Sequence, residues 1–309
     1  VGARPQFIKA ATVSRRVRGP GFAEEIEEVI VHTGQHYDTN MSQVFFDELE
    51  IPPPAHHLGV GSASQAAQTA GIMVALEPVA ASEAPDMVLV YGDTNSTLAG
   101  ALVAAKAGIP LAHVEAGLRS HRRGMAEEVN RVVTDRLSDL LFCPTEEAIA
   151  NLAREGRPDA IAVGDVMLDG FRFAESRAGM DALDRIGVSP KGYALATVHR
   201  AESTDDPARL AALLGGLAAV AAGLPVVLPL HPRTRAKAKE AGIDLPPALT
   251  VVDPVSYLDM VALVSNAAVI ATDSGGLQKE AAFARVPCVT LREETEWTET
   301  VTSGWNRLP

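Results

Sequence analysis

The chain has 309 residues, of which 47% are hydrophobic, enough for two α/β domains that each bury a sheet. Its formal net charge of −12 argues against nucleic acid or an anionic membrane surface as a general partner, and no run of about 18 apolar residues or signal peptide is apparent. Cys143 and Cys288 have no metal-ligand spacing and are expected to be reduced core thiols, which favours a cytoplasmic protein.

The first half of the chain alternates short apolar runs with helical patterns. Strands are predicted at residues 28–31, 87–90, 111–114 and 139–142, and helices at 97–107 and 127–137. Short strands that are nearly all apolar are typical of a buried parallel sheet. Residues 1–165 are therefore predicted to form a doubly wound, Rossmann-like domain.

The second half repeats the pattern. Strands are predicted at residues 193–197, 225–229, 249–252 and 268–271, and helices at 207–222 and 257–265. The predicted fold class is α/β, with two doubly wound Rossmann-like domains, residues 1–165 and 166–309, facing a central cleft. Both chain ends are expected to be truncated, because each stops within an unfinished element.

Three carboxylates stand out in the first domain. Asp93 and Glu115 each follow a predicted strand, and Glu127 opens the helix at 127–137. A carboxylate at the end of a buried strand is costly unless it is bound or used. Asp93 could instead cap the next helix, and Glu127 could simply complement a helix dipole.

Candidate anion-binding groups stand out in both domains. Asp273-Ser274-Gly275-Gly276 lies between an apolar run and a helix-prone segment, and is predicted to be a strand, a glycine turn and a helix start that holds a phosphate or diphosphate. A simple tight connection is the alternative. Further cations follow predicted strands or the first glycine turn. They are His199-Arg200, His231, Arg4 and Lys9.

Eight motifs resemble those of the non-hydrolysing UDP-N-acetylglucosamine 2-epimerases, in the same order and over essentially the whole chain. They are Gly2-x-Arg4-Pro5-x-x-x-Lys9, Thr33-Gly34-Gln35-His36, Gly92-Asp93-Thr94-x-Ser96, His113-x-Glu115-Ala116-Gly117-Leu118-Arg119, Glu127-Glu128-x-Asn130-Arg131, His199-Arg200-x-Glu202, His231-Pro232 and Asp273-Ser274-Gly275-Gly276-x-Gln278-x-Glu280. Together these motifs are far more specific than any one of them.

The resemblance implies a glycosyltransferase-B-like fold, a homodimer and the interconversion of UDP-GlcNAc and UDP-ManNAc by elimination and re-addition of UDP. It implies no cofactor and no metal. Asp93, Glu115 and Glu127 would be the acid/base set, with base and acid unassigned, and His199 would assist the leaving group. The residues implied to bind the UDP-sugar are Arg4, Lys9, Arg131, Arg200, His231, Ser274, Gly275, Gly276 and Glu280, the last on ribose hydroxyls. Gln35, His36 and Gln43 are candidates for a regulatory site.

The substrate within the family stays open. Segments 35–38, 41–46, 163–167 and 295–301 are more similar to the branch that acts on UDP-2,3-diacetamido-2,3-dideoxyglucuronate. A hydrolysing 2-epimerase that releases UDP, and a glycosyltransferase with the same nucleotide site, are further alternatives. The three carboxylates disfavour both the glycosyltransferase and an inactive sugar-nucleotide sensor.

Overall fold

A computed structural model describes residues 1–34, 46–122, 124–295 and 297–309 of the chain, with the backbone alone for Arg4 and Pro5. The chain divides into two compact units, Val1–Gly170 and Phe171–Pro309. Among the described helices, none is both long and apolar enough to cross a bilayer.

The first unit contains a parallel sheet of four strands in the order β3-β4-β5-β6, and a separate parallel pair, β1-β2. Its strands are β1 Val31–His32, β2 His56–His57, β3 Val88–Tyr91, β4 Leu111–Val114, β5 Leu140–Cys143 and β6 Ile161–Ala162. Its helices are α1 Arg4–Val17, α2 Gln65–Glu83, α3 Asn95–Ala107, α4 Ala126–Leu137, α5 Glu146–Arg154 and the beginning of α6 Val166–Glu175. Each strand of the main sheet is followed by a helix, as the sequence predicted.

The second unit contains a parallel sheet of six strands in the order β12-β11-β10-β7-β8-β9. The strands are β7 Ala194–Thr197, β8 Val226–Pro229, β9 Thr250–Val252, β10 Val269–Thr272, β11 Cys288–Thr290 and β12 Asn306–Arg307. The helices after α6 are α7 Asp181–Ile186, α8 Ala201–Thr204, α9 Pro207–Ala221, α10 Pro232–Glu240, α11 Tyr257–Asn266, α12 Gly275–Phe283 and α13 Thr298–Thr302.

The strand order of the second sheet reverses between β7 and β10. Strands β8 and β9 follow β7 in the chain and lie on one side of it. Strand β10 comes next in the chain and pairs with β7 on its other side. In open α/β sheets, ligands bind beyond the carboxyl ends of the strands where the order reverses. The predicted α/β, doubly wound class is confirmed, and this reversal marks where the second unit is expected to bind a ligand.

Two local predictions were wrong. The strand predicted at residues 28–31 is only β1, which pairs on one side through the single residue Gly2 and on the other with the two-residue β2. Gly275 and Gly276 are not in a turn, because they are the first two residues of α12. The Oγ of Ser274 accepts the N–H of Leu277 at 3.4 Å, so Ser274 caps the helix and no turn is needed.

Gly117 lets β4 and α5 approach closely. Its φ is +82°, and a Cβ at this position would lie 2.4 Å from the carbonyl oxygen of Ala148 in α5. Only glycine combines that backbone angle with such a close approach. Gly117 therefore helps to fix the segment that carries Glu115.

Candidate functional site

Glu115 lies directly after β4, at the carboxyl edge of the first sheet. Its φ of +72° is in the left-handed region, which a residue with a side chain occupies only when its surroundings impose it. The backbone N–H groups of Glu115 and Ala116 both donate to the carbonyl oxygen of Phe142 in β5, at 3.0 and 3.1 Å. The carboxylate is buried and forms an ion pair with Lys9 of α1.

The surroundings of this ion pair set its proton affinity. Burial raises the pKa of the Glu115 carboxyl, although the charge of Lys9 opposes this. Burial by itself would lower the pKa of Lys9, but the charges of Glu115 and Asp93 raise it above the ordinary lysine value. Glu115 Oε1 is buried and has no hydrogen-bond partner among the described residues. Burial thus makes the Glu115 carboxyl hold its proton more strongly than an exposed glutamate does.

Asp93 follows β3 and is held by two residues of α4. Arg131 donates to Asp93 Oδ2 from Nε at 3.0 Å and from Nη2 at 2.6 Å, and the side chain of Asn130 donates to the Asp93 carbonyl at 2.8 Å. The Asp93 side chain stays 30% exposed, so a ligand can reach it. Its charge also acts on both Lys9 and Glu115, so the two strand-end carboxylates belong to one cluster.

The first turn of α4 holds two glutamates in different surroundings. Glu128 is buried and accepts hydrogen bonds from the backbone N–H groups of Ser120 and His121, each at 2.9 Å, and from Arg131 at 3.0 Å. Burial alone would raise the pKa of Glu128, but these donors lower it. Glu127 is half-buried. Glu128 is therefore structural.

A buried charged network, which the sequence analysis did not assign, supports the loops after β3 and β4. His113 in β4 lies 2.7 Å from Asp135 through Nδ1 and 2.8 Å from the Gly92 carbonyl through Nε2. Asp135 also accepts from Gly117 N–H at 3.1 Å and from Arg119 at 2.7 Å. Burial alone would raise the pKa of Asp135, but the hydrogen bonds from His113 and Arg119 lower it. The network fixes the backbone on either side of the carboxylate cluster.

In the second unit, His199 and Asp273 meet at the strand-order reversal. His199 follows β7 and Asp273 follows β10. Asp273 is fully buried, and its Oδ2 accepts the backbone N–H groups of His199 and Arg200, each at 2.8 Å. Its Oδ1 lies 3.2 Å from His199 Nδ1. Burial by itself would raise the pKa of Asp273, but these donors lower it.

The start of α12 supplies backbone donors near this pair. Ser274 caps the helix, and Gly275 and Gly276 are its first two residues. The first N–H groups of a helix have no intrahelical partner and favour an anion. The segment predicted to bind an anion is thus a capped helix start and not a glycine turn, and its binding of a phosphate stays a prediction.

Two further predicted residues flank His199. His231 caps α10 by accepting the N–H of Arg233 at Nδ1 (3.1 Å), and its ring centre lies 5.3 Å from that of His199. Arg200 precedes α8, and its Nε is buried without a hydrogen-bond partner in the part of the chain that the structure describes. The predicted cationic residues of the second unit thus lie close together at the carboxyl ends of β7 and β8.

Glu280 lies in α12, one turn beyond its start. Its carboxyl group is buried and accepts a hydrogen bond from the hydroxyl of Tyr257 at 3.1 Å. Burial raises the pKa of Glu280 to about 7, although the hydrogen bond from Tyr257 opposes this.

We expect Glu280 to make the stability of the protein depend on pH. The pKa of Glu280 is higher in the folded state than its ordinary value of 4.5, so its contribution to stability is complete below pH 4.5 and is lost as the pH rises through about 7. Urea unfolding at pH 5, 6 and 7 should show the wild type losing roughly 2 kcal/mol more than Glu280→Gln over this range. The exposed Glu293→Gln serves as the control, and parallel pH profiles for the wild type and Glu280→Gln would contradict the expectation.

Several predicted residues lie outside the described part of the structure. These are Gln35, His36 and Gln43, together with the side chain of Arg4. Among the residues that are described, no group of three or more His, Cys, Asp or Glu side chains could hold a metal ion.

The chain is similar to known proteins along almost its whole length. The family model described as UDP-N-acetylglucosamine 2-epimerase matches residues 22–309. UDP-2,3-diacetamido-2,3-dideoxy-D-glucuronate 2-epimerase of Pseudomonas aeruginosa is 49% identical, and UDP-N-acetylglucosamine 2-epimerase of Methanocaldococcus jannaschii is 41% identical; each match covers 100% of this chain and 86% of the relative. A crystal structure of the Methanocaldococcus jannaschii enzyme with UDP-GlcNAc and UDP has a TM-score of 0.91 at 40% identity, over 99% of this chain and 86% of that one.

Proposed function

Because the chain belongs to the UDP-N-acetylglucosamine 2-epimerase family, we propose that it inverts C2 of UDP-GlcNAc to give UDP-ManNAc without net hydrolysis. It is a UDP-sugar isomerase. The first unit supplies the acid/base carboxylates and the second unit binds UDP.

One observation carries this proposal: the buried carboxylate of Glu115, which faces Lys9 and leaves Oε1 without a partner in the described chain. A buried acceptor without a hydrogen-bond partner lowers the stability of the fold, so a purely structural role does not explain it. It is explained if substrate occupies that position during turnover. Asp93, which acts electrostatically on the same pair, supplies a second carboxylate, and we assign Glu127 as the third.

The reaction needs proton transfer but no net oxidation. In elimination, the C2 proton moves to a carboxylate, a double bond forms between C1 and C2, and the C1–O bond breaks with its electron pair going to the β-phosphate of UDP. In re-addition, a proton reaches the opposite face of C2 and the same phosphate oxygen attacks C1. The raised pKa of the Glu115 carboxyl suits a group that takes up and returns a proton.

The departing UDP gains negative charge, and the second unit has the groups to stabilise it. His199, Arg200 and His231 are cationic or can become so, and the start of α12 at Ser274 offers backbone N–H groups. We assign Lys9, Arg4 and Arg131 to the substrate site of the first unit, with Arg131 acting through Asp93, to which it is bound. Glu280 is assigned to the ribose.

A second substrate is favoured by one finding. The relative at 49% identity is named UDP-2,3-diacetamido-2,3-dideoxy-D-glucuronate 2-epimerase, and it is more similar to this chain than the enzyme at 41%. That sugar would undergo the same chemistry at C2, so the acid/base residues would be unchanged. Only the groups that contact C3 and C6 would differ.

Incubation with each sugar nucleotide in deuterated water tests the proposal. With UDP-GlcNAc, we expect deuterium at C2 by proton NMR and mass spectrometry, and UDP-ManNAc as product. Exchange only with UDP-2,3-diacetamidoglucuronate would move the assignment to the second substrate. Free ManNAc with UDP would indicate the hydrolysing reaction, and no C2 exchange with either sugar would refute an epimerase of this type.

We also infer that the protein is a homodimer, because the amphipathic pattern of α4 is reversed. Polar residues of α4 such as Asn130 and Thr134 are buried, whereas Val129 is 48% and Val132 is 41% exposed. An apolar helix face is expected to be covered. A second copy is the favoured cover, since a two-fold axis pairs the patch with itself.

Light scattering coupled to gel filtration tests the dimer. The wild type should have about twice the chain mass of 32.5 kDa, and Val132→Lys should shift towards one chain mass, because it would bury two unpaired charges at the two-fold interface. Val220→Lys changes a valine of similar exposure in α9 and should leave the mass unchanged. A wild type with the mass of one chain would contradict the inference.

We propose that the enzyme is cytoplasmic, because its two cysteines do not form a disulfide bond. Cys143 and Cys288 are both buried and free. Reduced thiols are the usual state in that compartment.

A further inference from the structure

Asp273 is a buried carboxylate beside a predicted phosphate site, and binding a phosphate does not require it. It is fully buried immediately before the residue that caps α12, and its carboxylate contacts His199 and Arg200, in the segment after β7. A buried carboxylate in a loop that receives an anion would repel that anion. Asp273 therefore has a role other than direct contact with a phosphate.

The register of the sheet brings Asp273 to His199. β7 and β10 pair in parallel with Thr197 opposite Thr272, and the hydroxyls of these two residues lie 2.6 Å apart. Asp273 is the next residue after this pair on one strand, and His199 is the second residue after it on the other. One carboxylate can therefore reach both the backbone and the ring of His199.

The two carboxylate oxygens of Asp273 contact different groups. Oδ2 accepts the two backbone N–H groups after β7, which fixes the chain there. Oδ1 is buried and has no aligned hydrogen bond among the described residues, but it lies 3.2 Å from His199 Nδ1, so a small rotation of the ring with its proton on Nδ1 would satisfy it. His199 is 31% exposed, so its other nitrogen, Nε2, remains accessible.

We propose that Asp273 is a positioning residue that holds the His199 proton on Nδ1 and thereby presents Nε2 to the substrate. This rests on the proposed function, in which His199 assists the departing diphosphate. A buried carboxylate on the far side of the ring stabilises the imidazolium, which can then donate a proton or a hydrogen bond from Nε2.

The neighbours of His199 provide an internal comparison. His231 lies beside it, but its Nδ1 accepts the N–H of Arg233, so the neutral His231 ring carries its proton on Nε2. Two adjacent histidines are thus expected in opposite tautomers, His231 from its hydrogen bond and His199 from the buried carboxylate oxygen beside its Nδ1. The adjacent Arg200 also contacts Asp273, through its backbone N–H.

Nitrogen-15 NMR of histidine-labelled protein without substrate tests the tautomer directly. Signals of His199 and His231 are assigned by their loss in His199→Gln and His231→Gln. The neutral wild-type ring of His199 should carry its proton on Nδ1. In Asp273→Asn the side-chain oxygen can still accept the backbone N–H groups, but its amide opposes Nδ1–H, so the proton should move to Nε2 while His231 is unchanged. A wild-type Nε2–H tautomer at His199 would overturn the proposal, whether or not the variant folds.

Kinetics provide the second measurement. Asp273→Asn should lower kcat on the order of 100-fold or more with a smaller change in KM, and the double variant with His199→Gln should be no slower than His199→Gln alone. Additive losses would show that Asp273 acts independently of His199, and the proposal would fail. Because the tautomer is read without substrate, an incorrect substrate assignment leaves the NMR result standing.

Discussion

The Glu115→Gln variant is expected to epimerise its substrate about 100-fold or more slowly than the wild type, with most of the loss in kcat. Glutamine keeps the shape of the side chain and still faces Lys9, but its amide can neither take up nor release a proton near neutral pH. The substitution also leaves the buried charge of Lys9 without its carboxylate, so some loss of stability is expected beside the loss of proton transfer. Steady-state kinetics combined with deuterium exchange at C2 measure the effect.

The matched control is Glu146→Gln, which changes an exposed glutamate in the first turn of α5 and should leave kcat unchanged. Asp93→Asn provides an independent test of the same carboxylate cluster and should cause a loss of similar size. Thermal unfolding of each variant separates lost catalysis from lost folding. Near-normal turnover in both Glu115→Gln and Asp93→Asn would contradict the assignment of acid/base chemistry to the first unit.

The position of Glu115 was predictable from the sequence because its cause is local. Four consecutive residues, 111–114, give a short buried strand, and the structure places β4 at those same residues. The residue after a buried parallel strand lies at the carboxyl edge of the sheet. Asp93 and His199 were found by the same argument.

The partners of these residues were not predictable because they are distant in sequence. Lys9 and Glu115 are 106 residues apart, and His199 and Asp273 are 74 apart. Apolar spacing correctly predicted the helix α4, but spacing alone does not show that its polar face is buried. The start of α12 carried a usable signal in Ser274, since serine is a preferred helix cap.

Arg131→Gln is expected to lower the free energy of unfolding by about 3–5 kcal/mol, because it leaves buried negative charge without its cation. Arg131 is 3% exposed and bridges Asp93 and Glu128, with hydrogen bonds of 2.6 to 3.0 Å. Urea or thermal unfolding measures the loss. Arg131→Lys should recover part of it, since lysine restores the charge but not the planar fork that reaches both carboxylates.

Arg172→Gln provides the matched control for this prediction, because it changes an exposed arginine of another helix, α6. It should change stability by no more than about 0.5 kcal/mol. A loss below about 1 kcal/mol in Arg131→Gln would mean that Asp93 and Glu128 tolerate each other without a cation. Activity then separates two roles: if Arg131→Lys folds stably but still has a low kcat, the fork serves to orient Asp93 for proton transfer as well as to stabilise the fold.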